Sequence, residues 1–176
     1  NHFTVSAEKA LIFGVVGTFE REAIRPHVTG HFADMLLASS RHPAMIMYLE
    51  GHLSVRKGWQ PRQVARSTAF PPPTGLNENL AREIMELFSL GIGAYGEKDI
   101  KEGARALTGY TYNDDEFIFR KSDHDDGGKS ILGQTGNFDG DGFVRVILEQ
   151  RACSRFIARK LYKNFVADIA PLEATE

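Results

Sequence analysis

Apolar positions along this chain recur mostly at three- and four-residue spacing, which predicts a helical protein. Ser6 stands before an apolar run and predicts the N-cap of a helix over about 7–24, which Pro26 ends. The stretch "TGHFADMLLASSRHP" predicts a second helix over about 30–41, with Phe32, Met35 and Leu36 facing inward. Pro43 suits the first turn of a third helix, "PAMIMYLEGHL", where Met45, Ile46, Tyr48 and Leu49 leave little polar face and predict burial. A fourth helix is read in "GLNENLAREIMELFSLG", residues 75–91, with Asn77 as N-cap and Gly91 as stop. A fifth runs over about 97–107 and closes at Gly109. "DGFVRVILEQ" and "CSRFIARKLYKNFVA" give the last two. In the final helix Phe156, Ile157, Leu161, Phe165 and Val166 form an apolar stripe, with Arg155, Arg159, Lys160 and Lys163 opposite.

Two stretches break the helical period. "YTYNDDEFIFR" places β-forming residues on both sides of an Asn-Asp-Asp turn and predicts a hairpin, to which "KSILG" (129–133) adds a short third strand. Residues 51–75 carry basic side chains and prolines without a period, and predict a long loop. The expected class is mainly α: six to seven helices with a small antiparallel β-hairpin or three-stranded sheet at one end. The expected organisation is one helical domain over 1–176, with the 51–75 loop and a 110–135 hairpin insertion.

Composition narrows the function. The 176 residues, 42% hydrophobic and 25% charged, can fill one core. A net charge of −2 gives no footprint for nucleic acid. The longest apolar run, "ALIFGVVGTF" (10–19), falls short of the roughly 18 residues that span a bilayer. The single cysteine, Cys153, excludes an internal disulfide and reads as a small buried hydrophobe rather than a reactive thiol. Asn1 in place of Met makes an excerpt of a longer chain the expectation.

Glu83 is the first candidate for chemistry. At about 100° per residue, Leu76, Leu80, Ile84, Leu87 and Phe88 share one face, and Glu83 lies at its edge. A carboxylate there needs a partner, and Arg105 on the next helix is the expected one. Read functionally, Glu83 and Glu86 with a histidine, and Asn79 beside them, form a metal or acid–base set. The second candidate is "KSDHDDGGKSILG", where His124 stands among Asp123, Asp125 and Asp126, with glycines and Lys129 behind. A histidine among acids suits proton transfer or metal binding, while the plain alternative is a polar hairpin connection. The third is "NFDGDGFVRVILE". Asn137, Asp139 and Asp141 copy half of a calcium loop, but position 12 is Leu148, so a helix cap at Asp139 or Asp141 competes with a metal site. Arg56, Arg62 and Arg66, with Trp59 nearby, form a candidate anion-binding set in the 51–75 loop. No zinc, Walker, nucleophile-elbow or dinucleotide motif is present, and no cofactor is named by the residues.

Taken together, "FEREAIRPHVTGHFADMLLASSRHPAMIMYLE", "GLNENLAREIMELFSLGI", "ARALTGYTY" and "SRFIARKLYKNFVAD" resemble the bacterial family known as domain of unknown function 1800. The resemblance runs nearly end to end, with "HDDGGK" standing where the family tends towards "HDPGPK". It implies a middle section of a larger, mostly helical protein without an established activity. It also implies an envelope, periplasmic or exported setting, beside a sulfatase-like exported family as a protein partner. The preferred expectation is an accessory, partner-binding helical protein. The alternative is a metal-dependent hydrolase or oxidoreductase using Glu83 and Glu86 with His124 or His42. An anion or polysaccharide binder is the third expectation.

Overall fold

The computed structural model describes residues 2–6, 14–60 and 73–168, and its elements follow the apolar periodicity closely. Helix α1 (Val16–Phe19) continues into a π-helical turn, Glu20–Ile24, and a 3-10 turn, Arg25–His27, that contains Pro26. The start expected at Ser6 falls among residues outside those described. Helix α2 spans Phe32–Arg41 and α3 spans Pro43–Tyr48, with Pro43 in the first turn. His42 caps α3: its Nδ1 accepts the Ala44 backbone N–H at 3.2 Å. Both partners are buried, so the ring fixes the α2–α3 corner.

Helix α4 (Asn79–Glu83) also runs into a π-helical segment, Ile84–Ser89. Asn77 supports its start by accepting the Asn79 N–H at 3.0 Å. The π segment has a geometry of its own. Its turns are wider than the α-helical ~3.6 residues, so residues three apart no longer share a face. The buried residues fall in two adjacent columns, Leu80–Ile84–Phe88 and Ala81–Met85–Ser89. Leu76 and Leu87, expected inside, are exposed.

Helix α5 (Glu97–Leu107) turns Ile100, Gly103, Ala104 and Leu107 into the core, where Gly103 packs on the Phe143 ring. The hairpin follows as β1 (Tyr110–Asn113) and β2 (Glu116–Phe119), antiparallel with Tyr110 opposite Phe119. "KSILG" forms β3 (Lys129–Ile131), but it does not join that hairpin. It pairs with β4 (Gln134–Gly136) in a separate two-stranded sheet. The reason is local: Leu132 and Gly133 both take positive φ, 50° and 82°, the two-residue turn that folds a strand back on itself. Asp99 of α5 steadies it by accepting the Leu132 N–H at 2.7 Å.

Helix α6 (Gly140–Leu148) begins at Asp139, and α7 (Arg151–Phe165) packs on α6 and on the 84–89 segment. One apolar cluster joins α1 to α6, with Leu36, Met45, Ile84, Ile100, Phe143 and Ile147 among its fully enclosed members. The fold is mainly α with two small antiparallel sheets.

Candidate functional site

The polar face of α5 organises the most connected group of charges among the described residues. Asp99, Glu102 and Arg105 recur every third residue, so they line one side of the helix away from its apolar side. The Glu102 carboxylate accepts the Ser130 N–H at 3.0 Å. Arg105 grips the segment before it. Its Nε and Nη2 donate to the two Asp125 oxygens at 2.9 and 3.0 Å. Its Nη1 donates to Glu102 at 2.8 Å and to the Gly128 carbonyl at 3.0 Å. This fork matches the planar guanidinium to a planar carboxylate. Arg105 beside it, helped by the Gly127 N–H, holds the Asp125 carboxyl down at about 2.

Lys129 closes the loop from below. It is 1% exposed, and its Nζ donates to the Asp125 and Gly127 carbonyls at 2.6 and 3.0 Å. Burial lowers its pKa. Such an ammonium, held by backbone oxygens, fixes the turn and has no direct opening to a ligand. His124 is buried beside it. Thr108 links the two sides of the site: its hydroxyl donates to the Arg105 carbonyl at 2.6 Å and accepts the Asp125 N–H at 2.8 Å. The Thr108 carbonyl lies 2.8 Å from His124 Nδ1, so Nδ1 carries a proton and donates to it. Phe119 packs edge-on against the ring at 5.2 Å.

An open groove runs past this network. One lobe, about 570 Å³, is lined by Arg56, Lys57, Trp59, Leu76, Arg105 and Asp125. An adjoining lobe of about 500 Å³ shares Arg56, Lys57 and Asp125 and adds Lys121, His124 and Asp126.

The sequence-predicted residues therefore divide. Arg105, His124 and Lys129 come together, as a scaffold around Asp125. Asn79, Glu83 and Glu86 do not join them. Glu83 is half-buried and makes no hydrogen bond or ion pair among the described residues. Its expected partner, Arg105, is committed to Asp125 and Glu102 instead. The buried face of this helix runs through Leu80, Ala81, Ile84, Met85, Phe88 and Ser89, which leaves Glu83 to one side of it. Burial, then repulsion from Glu86, raises the Glu83 carboxyl pKa, and Arg82 offsets part of this. Glu86 itself accepts the Tyr95 hydroxyl at 2.6 Å. His42 is occupied as the α3 cap, with Glu22 3.9 Å away.

A raised carboxyl pKa makes the ionised form of Glu83 the costly one in the folded chain. Its favourable contribution holds at acid pH and is lost as pH rises through the folded value. Glu83→Gln is therefore expected to leave the protein equally stable or slightly more so at pH 7, within about 0.5 kcal/mol. Thermal melts at pH 7 and pH 4 check this, with any benefit of the substitution confined to the higher pH.

Asp139 is the N-cap of α6, accepting the Gly142 N–H at 2.9 Å. Asp141 pairs with Arg41, whose guanidinium lies over the Phe117 ring at 5.7 Å. These two carboxylates thus have structural partners. No group of three or more His, Cys, Asp or Glu side chains converges among the described residues. Cys153 is buried and free, with its thiol pushed up to about 11 by burial. Arg62 and Arg66 lie outside the described residues, whereas Arg56 lines the groove. Sequence reasoning missed the Arg105–Asp125 fork. Its signal was the D-x-x-E-x-x-R spacing of α5, which sets Asp99, Glu102 and Arg105 on one side of the helix.

A further feature lies on α7. Cys153 is its only fully buried residue, although the helix is 15 residues long. Leu161, Phe165 and Val166 are 54%, 77% and 68% exposed. Lys160, expected on the solvent side, bends inward: its Nζ donates to the Leu87 carbonyl at 2.9 Å and lies over the Phe156 ring at 4.7 Å.

A family model described as protein of unknown function (DUF1800) matches residues 1–176. No curated protein matches the chain, and no solved structure does.

Proposed function

We propose, for a chain that belongs to the DUF1800 family of proteins of unknown function, a partner-binding role in which α7 is the docking element. The observation that carries it is the uncovered side of α7. Leu161 and Phe165, both exposed, are four residues apart and continue the line of the half-buried Ile157 as one ridge. Arg151, Arg155 and Arg159 form a parallel ridge at the same spacing, and α7 holds no acidic residue. None of these arginines makes an ion pair among the described residues.

An apolar ridge flanked by unneutralised cations fits a protein groove with an apolar floor and an acidic rim, the helix-in-groove mode of recognition. A protein is favoured over an anionic bilayer by the charge of the whole chain, −2. Positive charge is concentrated on one helix while the rest is acidic, which suits a local complement better than an extended negative plane. An accessory role at the bacterial envelope, or as an exported protein, completes this reading. The sulfatase-like family implied by the resemblance is the first partner to test.

Leu161→Ser with Phe165→Ser is expected to change the melting temperature little, because both side chains are mostly exposed. The double variant is expected to lose at least ten-fold in affinity for the acidic partner in a direct titration. Vesicles of phosphatidylglycerol provide the comparison. Sedimentation of the intact protein with the vesicles, and its loss in the double variant, would replace the protein partner by a membrane surface.

A further inference from the structure

The groove beside the Arg105–Asp125 fork is separate from α7, and its chemistry is of another kind. Residues 56–59 form a tight turn in which the Trp59 N–H donates to the Arg56 carbonyl at 3.1 Å. Gly58 takes φ +75°, which a side chain would resist, and this places Lys57 at the tip and Trp59 at the exit. The turn is tied to the facing segment, Lys121–Asp123. The Arg56 N–H donates to the Asp123 carbonyl and its Nε to the Ser122 carbonyl, both at 2.9 Å. The two lips of the groove are thus held together by backbone-directed bonds.

Within the groove, Arg105 and Asp125 neutralise each other. Lys57 and Lys121 make no ion pair among the described residues, and Arg56 spends its Nε on a carbonyl, which leaves its positive charge unneutralised. Asp126 is the one lining acid with no ion pair there. The balance is positive, in contrast to the whole chain. His124 borders the same lobe, with its Nδ1 proton turned to Thr108. At the other lobe stands Trp59, half-buried, beside Val55 and Leu76 and across from the charged lining.

We infer that this groove binds an anionic sugar, with Arg56, Lys57 and Lys121 meeting its sulfate, phosphate or carboxylate group and Trp59 stacking on a pyranose face. Each lobe has the volume of an ordinary small-ligand site. The trough is open rather than enclosed, which suits a unit within a longer chain. Nucleotides are disfavoured, since neither a Walker loop nor a dinucleotide fingerprint supplies a phosphate cradle.

Trp59 is the only tryptophan of the chain, so intrinsic fluorescence reports on this groove directly. The test titrates the intact protein with a sulfated, a phosphorylated and a uronic acid oligosaccharide. A neutral oligosaccharide and inorganic sulfate serve as comparisons. At least one anionic oligosaccharide is expected to change the emission saturably and to bind at least ten-fold more tightly than both comparisons. Which of the three does so identifies the anionic group. Lys57→Ala with Lys121→Ala is expected to weaken that binding at least ten-fold at unchanged melting temperature, since both side chains are exposed. Asp126→Asn is expected to tighten it. The assignment is overturned by an absent or non-saturable response to all three, by inorganic sulfate binding equally well, or by an undiminished response in the double lysine variant.

Discussion

Arg105→Ala is expected to destabilise the protein by about 3 kcal/mol. The guanidinium is 25% exposed, and its partners Asp125 and Glu102 are 19% and 18% exposed, so water cannot fully replace what is lost. The substitution leaves two carboxylates close together and frees the Gly128 carbonyl. The loop from Asp125 to Lys129 then loses its anchor to α5. Arg105→Lys restores the charge without the two-pronged geometry and is expected to recover only part of the loss.

The same pair gives an acid dependence. Asp125 titrates at about 2 in the folded chain, below its ordinary value of 3.8. The stability it contributes is therefore complete above pH ~4 and is lost as pH falls towards 2. In Arg105→Ala most of that acid-sensitive increment is gone, so its stability should fall less steeply between pH 4 and 2 than that of the parent. Denaturant unfolding across that range measures both quantities. A variant as stable as the parent at pH 7 would show that the fork holds nothing together.

The second large effect is expected at Gly140, the first residue of α6. A methyl group there would overlap the Tyr110 hydroxyl and ring carbons. Tyr110 cannot swing aside: it is 3% exposed and packs edge-on against Phe117 at 4.9 Å. Gly140→Ala must displace either β1 or the start of α6, at a cost of about 3 kcal/mol. Gly17 in α1 provides the contrast, because nothing lies within 4 Å of an added methyl. Gly17→Ala is expected to stabilise by up to about 1 kcal/mol through helix propensity. Equal melting temperatures for the two variants would contradict the packing described for Tyr110.

These two sites show what was legible in the residue order. Capping and stop signals located the helices well: Pro43 opens α3, Asp139 caps α6 and Gly109 follows α5. The hairpin at 110–119 was equally plain, because β-forming residues flank a polar turn. The partner of β3 was not. Pairing there depends on Leu132 adopting a left-handed conformation, and its stabiliser, Asp99, lies 33 residues away. The buried face of the 75–91 helix also escaped: Leu76 and Leu87 suit the apolar stripe by spacing but lie exposed, while Ala81 and Met85 are buried. Glu83 stands to one side of that face, and Arg105 is taken by Asp125 and Glu102. Arg105 was recognised as a buried pairing group, but the choice among nearby acids was settled by where the Asp125 loop folds back.

The α7 stripe was visible in the sequence, but the periodic pattern alone does not say what covers it. Its exposure comes from tertiary structure: Cys153, Phe156 and Lys160 take the packed side, which turns Leu161 and Phe165 outward. The central claim is that this outward side meets a protein. It is tested most directly by placing a photo-crosslinking amino acid at position 165 of the intact protein in its native cell, with position 114 on the hairpin turn as reference. The account predicts a discrete protein adduct from position 165 and none from 114. Adducts confined to lipid, or equal labelling from both positions, would contradict it.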